Sequence, residues 1–134
     1  FCAQLAAMGL LEDMDRRARI ELATHEAASN AVLHGNLGLD DDWRVNPAAF
    51  RKRAAAVREA LDDPARASRR VGLVAEWSDD RIEIAVVDEG SGFDNAAIED
   101  AKARPSRGLG IVLAQADDVS IDDGGRLIRL SFDR

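Results

Sequence analysis

Two strand-turn-strand segments in the second half of the chain constrain its fold most strongly. Residues 71–77 and 81–88 are rich in apolar residues and are joined by the short polar turn Ser-Asp-Asp. Residues 119–121 and 127–132 flank Asp-Asp-Gly-Gly in the same way. Apolar runs separated by a few turn-forming residues are typical of β-hairpins. Helical stretches precede the first hairpin and separate the two. We therefore predict an α+β two-layer sandwich, in which a mixed, mostly antiparallel sheet carries helices on one face.

The helices are predicted from apolar spacing and from signals at their ends. Residues 1–10 are apolar, and residues 16–34 have the composition of a long helix that Asp13 or Asp15 caps and Gly35 ends. Residues 36–49 are predicted to form a loop. Apolar residues spaced three and four apart then mark an amphipathic helix closed by Pro64, and another helix is predicted from residue 108 onward. The spaced residues are Phe50, Ala54, Val57 and Leu61.

Length and charge limit the classes of function. A chain of 134 residues with 46% hydrophobic and 32% charged residues suits one domain, residues 1–134, with a proper core. Its formal net charge of −7 argues against non-specific binding to nucleic acid or to an anionic membrane, because neither polyanion gains from an acidic surface. The single cysteine, Cys2, excludes an internal disulfide and a cysteine-built metal site. Without a signal peptide or spanning stretch, the expected location is the cytoplasm.

The first candidate site lies in the long helix. Glu26, Asn30 and His34 are four residues apart, so they lie along one side of a helix. An asparagine amide oxygen is a hard ligand that Mg²⁺ accepts when phosphates and waters fill its other positions, and a nearby glutamate can take a proton. Alanines at positions 23, 27 and 31 lie beside them and leave room for a ligand. A solvated polar face, or a helix end formed by His34 and Asn36 beside Gly35, explains the same pattern.

The second candidate site lies where the strand 81–88 ends. Asp88 has the same phase as Ile82 and Ile84, so it belongs to the core face of the strand. A carboxylate there needs hydrogen-bond donors, and the exocyclic amine of adenine would supply one. Gly90 and Gly92 allow the backbone to approach a flat ring. An Asp-initiated turn is the alternative interpretation, although the core-facing phase of Asp88 weighs against it.

The third candidate site is the stretch Ser-Arg-Gly-Leu-Gly-Ile at residues 106–111. Glycines at 108 and 110 leave backbone N–H groups available at the start of a helix, and such a terminus favours phosphate oxygens. Arg107 adds positive charge. A plain loop is the alternative. The chain lacks G-x-x-x-x-G-K-[ST], so this stretch is not a P-loop.

Taken in order, the three motifs resemble the ATP-binding domain of the GHKL superfamily. The resemblance covers roughly residues 10–134, and the stretch Asn-Ala-Val-Leu-His-Gly-Asn resembles the anti-sigma-factor serine kinases in particular. It implies a Bergerat-type ATP-binding fold, with ATP and Mg²⁺ as ligands and an ATP lid at about residues 93–107. It also implies that Glu26 is the general base, Asn30 the magnesium ligand and Asp88 the adenine contact. The other implied nucleotide contacts are His34, Gly35, Gly90, Gly92, Arg104, Arg107, Gly108, Leu109 and Gly110.

Two departures bear on the subfamily. Histidine-kinase catalytic domains resemble this pattern as well, but they usually carry a basic residue where this chain has Leu33, and they usually have a longer lid. Residues 39–70 look like an insertion relative to compact members, with a basic helix. This segment is either an ordinary helix packed at the edge of the sheet or a docking surface for a partner. The basic residues of the helix are Arg51, Lys52, Arg53 and Arg58.

The resemblance implies two classes of function. As a serine/threonine-protein kinase, the domain would transfer the γ-phosphoryl group of ATP to a serine of an antagonist protein, with Arg104 or Arg107 steadying the phosphates. As an interaction module, it would sequester a sigma factor or another signalling partner under the control of nucleotide. The catalytic ATPase domain of a histidine kinase or of a larger fused regulator is a further alternative. The expected partner is an anti-sigma-factor antagonist or a sigma-like protein, and a homodimer stays open.

Overall fold

The computed structural model describes residues 1–39, 47–92 and 108–134. Both predicted hairpins form, and each strand begins and ends within one residue of its predicted bounds. The helices are α1 (Cys2–Ala7), α2 (Met14–Asn30), a π-helix (Ala31–Asn36), α3 (Pro47–Asp62), α4 (Pro64–Ala67) and α5 (Leu109–Gln115). The strands are β1 (Val71–Trp77), β2 (Arg81–Asp88), β3 (Asp118–Asp122) and β4 (Leu127–Asp133), with a 3₁₀ turn (Asp123–Gly125) between the last two.

The sheet has four strands in the order β1-β2-β4-β3. Every strand pair within the described ranges is antiparallel, which confirms the mostly antiparallel α+β architecture and leaves no parallel pair there. The central pair joins β2 to β4, so the second hairpin places β4 rather than β3 beside β2. No helix in the described part of the chain is long and apolar enough to cross a membrane.

One face of the sheet forms the core. In the register of β2 with β4, Ile82 lies opposite Phe132 and Ile84 lies opposite Leu130, and all four side chains are fully buried. Helix α2 covers these strands, and α5 packs against α2. The alternation predicted for β2 is confirmed, because Ile82, Ile84 and Val86 are buried and Asp88, next in phase, is half-buried at the end of the strand.

Helix α2 begins as predicted, but its end and its alanines depart from the predicted pattern. Asp13 is its N-cap and accepts a hydrogen bond from the Arg16 N–H at 2.7 Å. At the other end the helix does not stop at Gly35, because it continues through the π-helix to Asn36. The prediction that Ala23, Ala27 and Ala31 leave room for a ligand was wrong. These three alanines are buried in the core, where their small side chains let α2 approach the sheet.

Helices α3 and α4 occupy most of the predicted insertion. Within residues 51–62 only Ala60 is buried, whereas the basic Arg51, Lys52 and Arg58 are exposed. Pro64 does not only close α3, since it is also the first residue of α4, which Asp63 caps by accepting from the Ala65 N–H at 2.9 Å. Helix α4 then leads directly into β1.

Candidate functional site

The π-helix brings Gly35 into contact with the end of β2. The wider turn of a π-helix shifts the side-chain register, and such turns occur often at functional sites. A Cβ atom added to Gly35 would lie 2.5 Å from Cγ of Asp88 and 2.6 and 2.7 Å from its two carboxylate oxygens. Only glycine therefore fits at position 35 while Asp88 keeps this orientation. Two residues assigned to nucleotide contact, 53 positions apart in the chain, thus lie against each other.

Gly90 completes this cluster. Its N–H donates a hydrogen bond to Oδ1 of Asp88 at 2.8 Å. A Cβ atom on Gly90 would lie 2.8 Å from Cα of Gly35 and closer still to the Gly35 carbonyl, so the two backbones pack directly on each other. We call Gly35, Asp88 and Gly90 the Asp88 cluster. Among the described residues, only Gly90 donates a hydrogen bond to the Asp88 carboxylate, which lies beside two stretches of bare backbone. This arrangement suits the edge and face of a planar base.

The environment of Asp88 changes its acidity. Burial raises the pKa of the Asp88 carboxyl above its usual range, because desolvation penalises the charged form. The hydrogen bond from Gly90 opposes this rise, as do the positive charges of Arg126 and Arg69. The carboxylate is therefore incompletely compensated within the described structure. An incoming N–H donor would offset part of this cost.

Asn36 ties the π-helix to the residue that follows Asp88. Its side chain is almost fully buried, and its Oδ1 accepts a hydrogen bond from the Glu89 N–H at 2.9 Å. The Glu89 carboxylate in turn accepts from the Arg70 N–H at 2.9 Å. The sequence analysis considered Asn36 only as part of a helix end and assigned no role to Glu89. Because this hydrogen bond joins residues 53 apart, no local signal predicts it.

Two arginines from the predicted insertion hold the end of the π-helix. Nη1 of Arg69 donates to the Asn36 carbonyl at 2.7 Å, and Nη1 of Arg66 donates to the Leu37 carbonyl at 3.1 Å. Carbonyl groups at a helix end have no partner inside the helix, so guanidinium donors satisfy them and also favour the negative end of the helix dipole. Residues 66–69 therefore support the Asp88 cluster, a role that sequence reasoning missed.

A second cluster joins α2 to the start of α5. A Cβ atom built on Gly108 would lie 3.8 Å from Oδ1 and 4.0 Å from Nδ2 of Asn30, so the half-buried Asn30 amide faces the Gly108 backbone. Gly108 is the N-cap of α5, and its carbonyl accepts from the N–H groups of Ile111 and Val112 at 3.0 and 3.4 Å. The first and third candidate sites of the sequence therefore lie next to each other, as two contacts of one nucleotide should.

The remaining described candidates lie around these clusters. Glu26 is half-buried on α2, one turn before Asn30. The Nδ1 atom of His34 is hydrogen-bonded to the Leu39 carbonyl and holds the chain that leaves the π-helix. Leu109 packs against the core and Gly110 is buried in the first turn of α5. Gly92, with a φ of 74°, packs against the 3₁₀ turn, where a Cβ atom would lie 2.9 Å from the Gly124 carbonyl carbon.

Arg104, Arg107 and the segment 93–107 lie outside the described residues. Within the described ranges, no three His, Cys, Asp or Glu side chains lie close enough together to hold a metal ion. Asn30 therefore offers a single hard amide oxygen, which fits a cation that arrives with phosphate and water ligands of its own.

Comparison with known proteins identifies the family of the chain. Searches of curated proteins and of solved structures gave no significant match. The family described as the histidine kinase-like ATPase domain matches residues 2–132, nearly the whole chain. The chain therefore belongs to the histidine kinase-like ATPase domain family, whose members are ATP-binding domains of the GHKL type.

Proposed function

We propose that this domain binds ATP with Mg²⁺ between the Asp88 cluster and the Asn30–Gly108 contact, and transfers the γ-phosphoryl group to a serine of an antagonist protein. The main support for the proposal is that candidate residues distant in sequence lie in contact. Asp88 lies against Gly35 and Gly90, and Asn30 faces Gly108. In the proposal, the first contact is the base-binding end and the second is the phosphate-binding end of the nucleotide site.

The base-binding end favours adenine over guanine. The Asp88 carboxylate is a hydrogen-bond acceptor, and its Oδ1 already accepts from the Gly90 N–H at 2.8 Å. The exocyclic amine of adenine would donate to the carboxylate, whereas the 6-carbonyl of guanine would face it with a second acceptor. A polar site that loses its partner in this way rejects the analogue by orders of magnitude. ATP and ADP should therefore bind, and GTP should bind far more weakly.

The phosphate-binding end assigns separate tasks to two residues of α2. Asn30 would contribute its amide oxygen to the Mg²⁺ bound with the nucleotide, and the cation supplies charge neutralisation for the phosphates. Glu26, one turn earlier, would accept the proton of the serine hydroxyl. Arg104 or Arg107 would steady the phosphates. Asn30→Ala should therefore lower ATP affinity mainly when Mg²⁺ is present, with a smaller effect when the cation is chelated.

Phosphoryl transfer is tested with γ-labelled ATP, Mg²⁺ and candidate antagonist domains that carry a serine acceptor. Label on that serine supports the kinase. Under single-turnover conditions Glu26→Gln should lose roughly 10²–10⁴-fold of the transfer rate while ATP affinity stays near that of the wild type. Ser131→Ala is a suitable control, because Ser131 is buried on β4 opposite Glu83, at the other end of β2 from Asp88.

Four results would redirect the proposal. Binding of a partner that depends on nucleotide, without label transfer, would replace the kinase with a partner-sequestering module. Label on a histidine would indicate the catalytic domain of a histidine kinase. A Glu26→Gln protein that transfers phosphate at the full wild-type rate would remove Glu26 from the reaction, and equal loss of affinity for Asn30→Ala with and without Mg²⁺ would assign Asn30 to the fold.

A further inference from the structure

Three successive N–H groups fix the chain at the end of β2, each through a different partner. The Asp88 N–H donates to the Arg126 carbonyl at 3.0 Å and so extends the ladder with β4. The Glu89 N–H donates to Oδ1 of Asn36 at 2.9 Å, and the Gly90 N–H donates to Oδ1 of Asp88 at 2.8 Å. The middle bond is the one that joins this backbone to a side chain of the π-helix.

Asn36 is itself held firmly. Its side chain is 3% exposed, so water cannot readily replace it as the acceptor for Glu89, and Arg69 binds its carbonyl at 2.7 Å. It follows Gly35 directly, whose backbone touches both Asp88 and Gly90. The pair 35–36 and the segment 88–90 therefore interlock, with one close backbone contact and one buried hydrogen bond.

We propose that Asn36 is a positioning residue for base specificity. It acts through Asp88: by holding the Glu89 N–H, it fixes the peptide that follows Asp88 and so aims the Asp88 carboxylate at the exocyclic amine of the base. This inference rests on the proposed adenine contact of Asp88, and it does not depend on which protein, if any, receives the phosphoryl group. Without Asn36 the carboxylate keeps its charge and loses its fixed direction.

The test compares ATP with inosine triphosphate, which carries a carbonyl where adenine has the exocyclic amine. Calorimetry gives the ratio of the two dissociation constants for the wild type, Asn36→Ala, Asp88→Ala and the double variant. The ratio is a readout that a purely structural role leaves unchanged, because unfolded molecules bind neither nucleotide. We expect Asn36→Ala to reduce the preference for ATP by about tenfold. In the Asp88→Ala background the same change should have almost no further effect, since the two residues act as one unit.

The outcomes separate this inference from the proposed function. A wild type that binds both nucleotides equally would overturn the Asp88 contact and this inference with it. A wild type that prefers ATP, together with an Asn36→Ala protein that keeps the full preference, would overturn the role of Asn36 alone. The role of Asn36 would also be overturned if Asn36→Ala reduced the preference for ATP equally in the wild type and in the Asp88→Ala variant. If Asn36→Ala does not fold, Asn36→Ser removes the reach to Glu89 with a smaller change, and Ser131→Ala serves as the buried polar control.

Discussion

Replacing Gly35 by alanine should block the proposed adenine contact of Asp88 without destroying the fold. The new Cβ atom would lie 2.5 Å from Cγ of Asp88, whereas two carbon atoms in contact need about 3.5 Å. The carboxyl group must therefore retreat by about 1 Å. A hydrogen bond of about 2.9 Å that lengthens by that amount is no longer a hydrogen bond. Asp88 would thus keep its charge but lose its reach toward the base.

The size of the effect follows from this loss. A hydrogen bond to a charged group contributes about 1.5–3 kcal/mol, which corresponds to roughly 10- to 100-fold in the dissociation constant for ATP. Stability should fall by at most about 2 kcal/mol, because two effects oppose each other. Alanine favours a helical position over glycine by about 1 kcal/mol, and the crowding of Asp88 costs about 1–3 kcal/mol.

The assay is calorimetric titration with ATP, paired with urea denaturation of each protein. Gly9→Ala is the matched control, since Gly9 lies between α1 and α2 with a φ of 75°, and a Cβ atom there would meet only Glu12 at an ordinary 3.6 Å. The control should lose about 1 kcal/mol of stability from its backbone conformation and bind ATP normally. A Gly35→Ala protein with wild-type affinity for ATP would refute the reasoning.

Three further predictions follow from the same contacts. Asp88→Asn should weaken ATP binding but not lower the stability of the free protein at neutral pH. Because the folded pKa is raised, the wild type gains stability relative to this variant as the pH falls toward the ordinary value of 3.8, and urea denaturation across pH tests this. Asp117 behaves oppositely: the 2.6 Å bond from Arg19 lowers its pKa, so its stabilisation is present above 3.8 and is lost as the pH falls through the lowered value. The side chains of Arg19 and Asp117 are each about one-third exposed, so Asp117→Asn should lower the free energy of unfolding by only about 0.5 kcal/mol. A variant whose stability falls with acid in the same way as that of the wild type would contradict the assignment. Gly90→Ala should cost about 1–3 kcal/mol, since its Cβ atom meets the Gly35 backbone rather than a movable side chain; an undiminished melting temperature would argue against that packing.

Local chemistry was enough to predict the strands and the phase of Asp88. Each strand is bounded by turn residues, and the alternation along β2 fixes which side chains face the core before any partner is known. The meeting of Asn30 with Gly108 is not visible in either motif alone. The resemblance to a family only assigned both residues to the same nucleotide, and the structure places the Asn30 amide beside Gly108.

The features that sequence reasoning missed depend on hydrogen-bond partners and tertiary contacts that no local signal marks. A π-helix differs from an α-helix by a shift in hydrogen-bond partners that composition does not mark, so Gly35 was expected to end the helix that in fact continues through it. The bonds from Arg66 and Arg69 to carbonyls of the π-helix end span 29 and 33 residues. Ala23, Ala27 and Ala31 were predicted to leave room for a ligand, because the position of the sheet against which they are buried is not visible in the sequence.

A half-buried carboxylate whose pKa is raised by burial weakens the free protein, and the structure shows why it is nevertheless kept in place. Asp88 receives one hydrogen bond from Gly90, and the charges of Arg126 and Arg69 offset only part of the cost of desolvation. Moving the carboxylate outward would relieve that cost, but Gly35, Gly90 and the buried bond of Asn36 leave it little freedom to move. Rigid surroundings that hold a polar group in an unfavourable place are typical of binding sites, because the ligand then completes the interactions without having to organise them. In the proposed site the base-binding end is organised before the nucleotide arrives, so the affinity for ATP should depend on contacts as far away as Arg69, which holds Asn36.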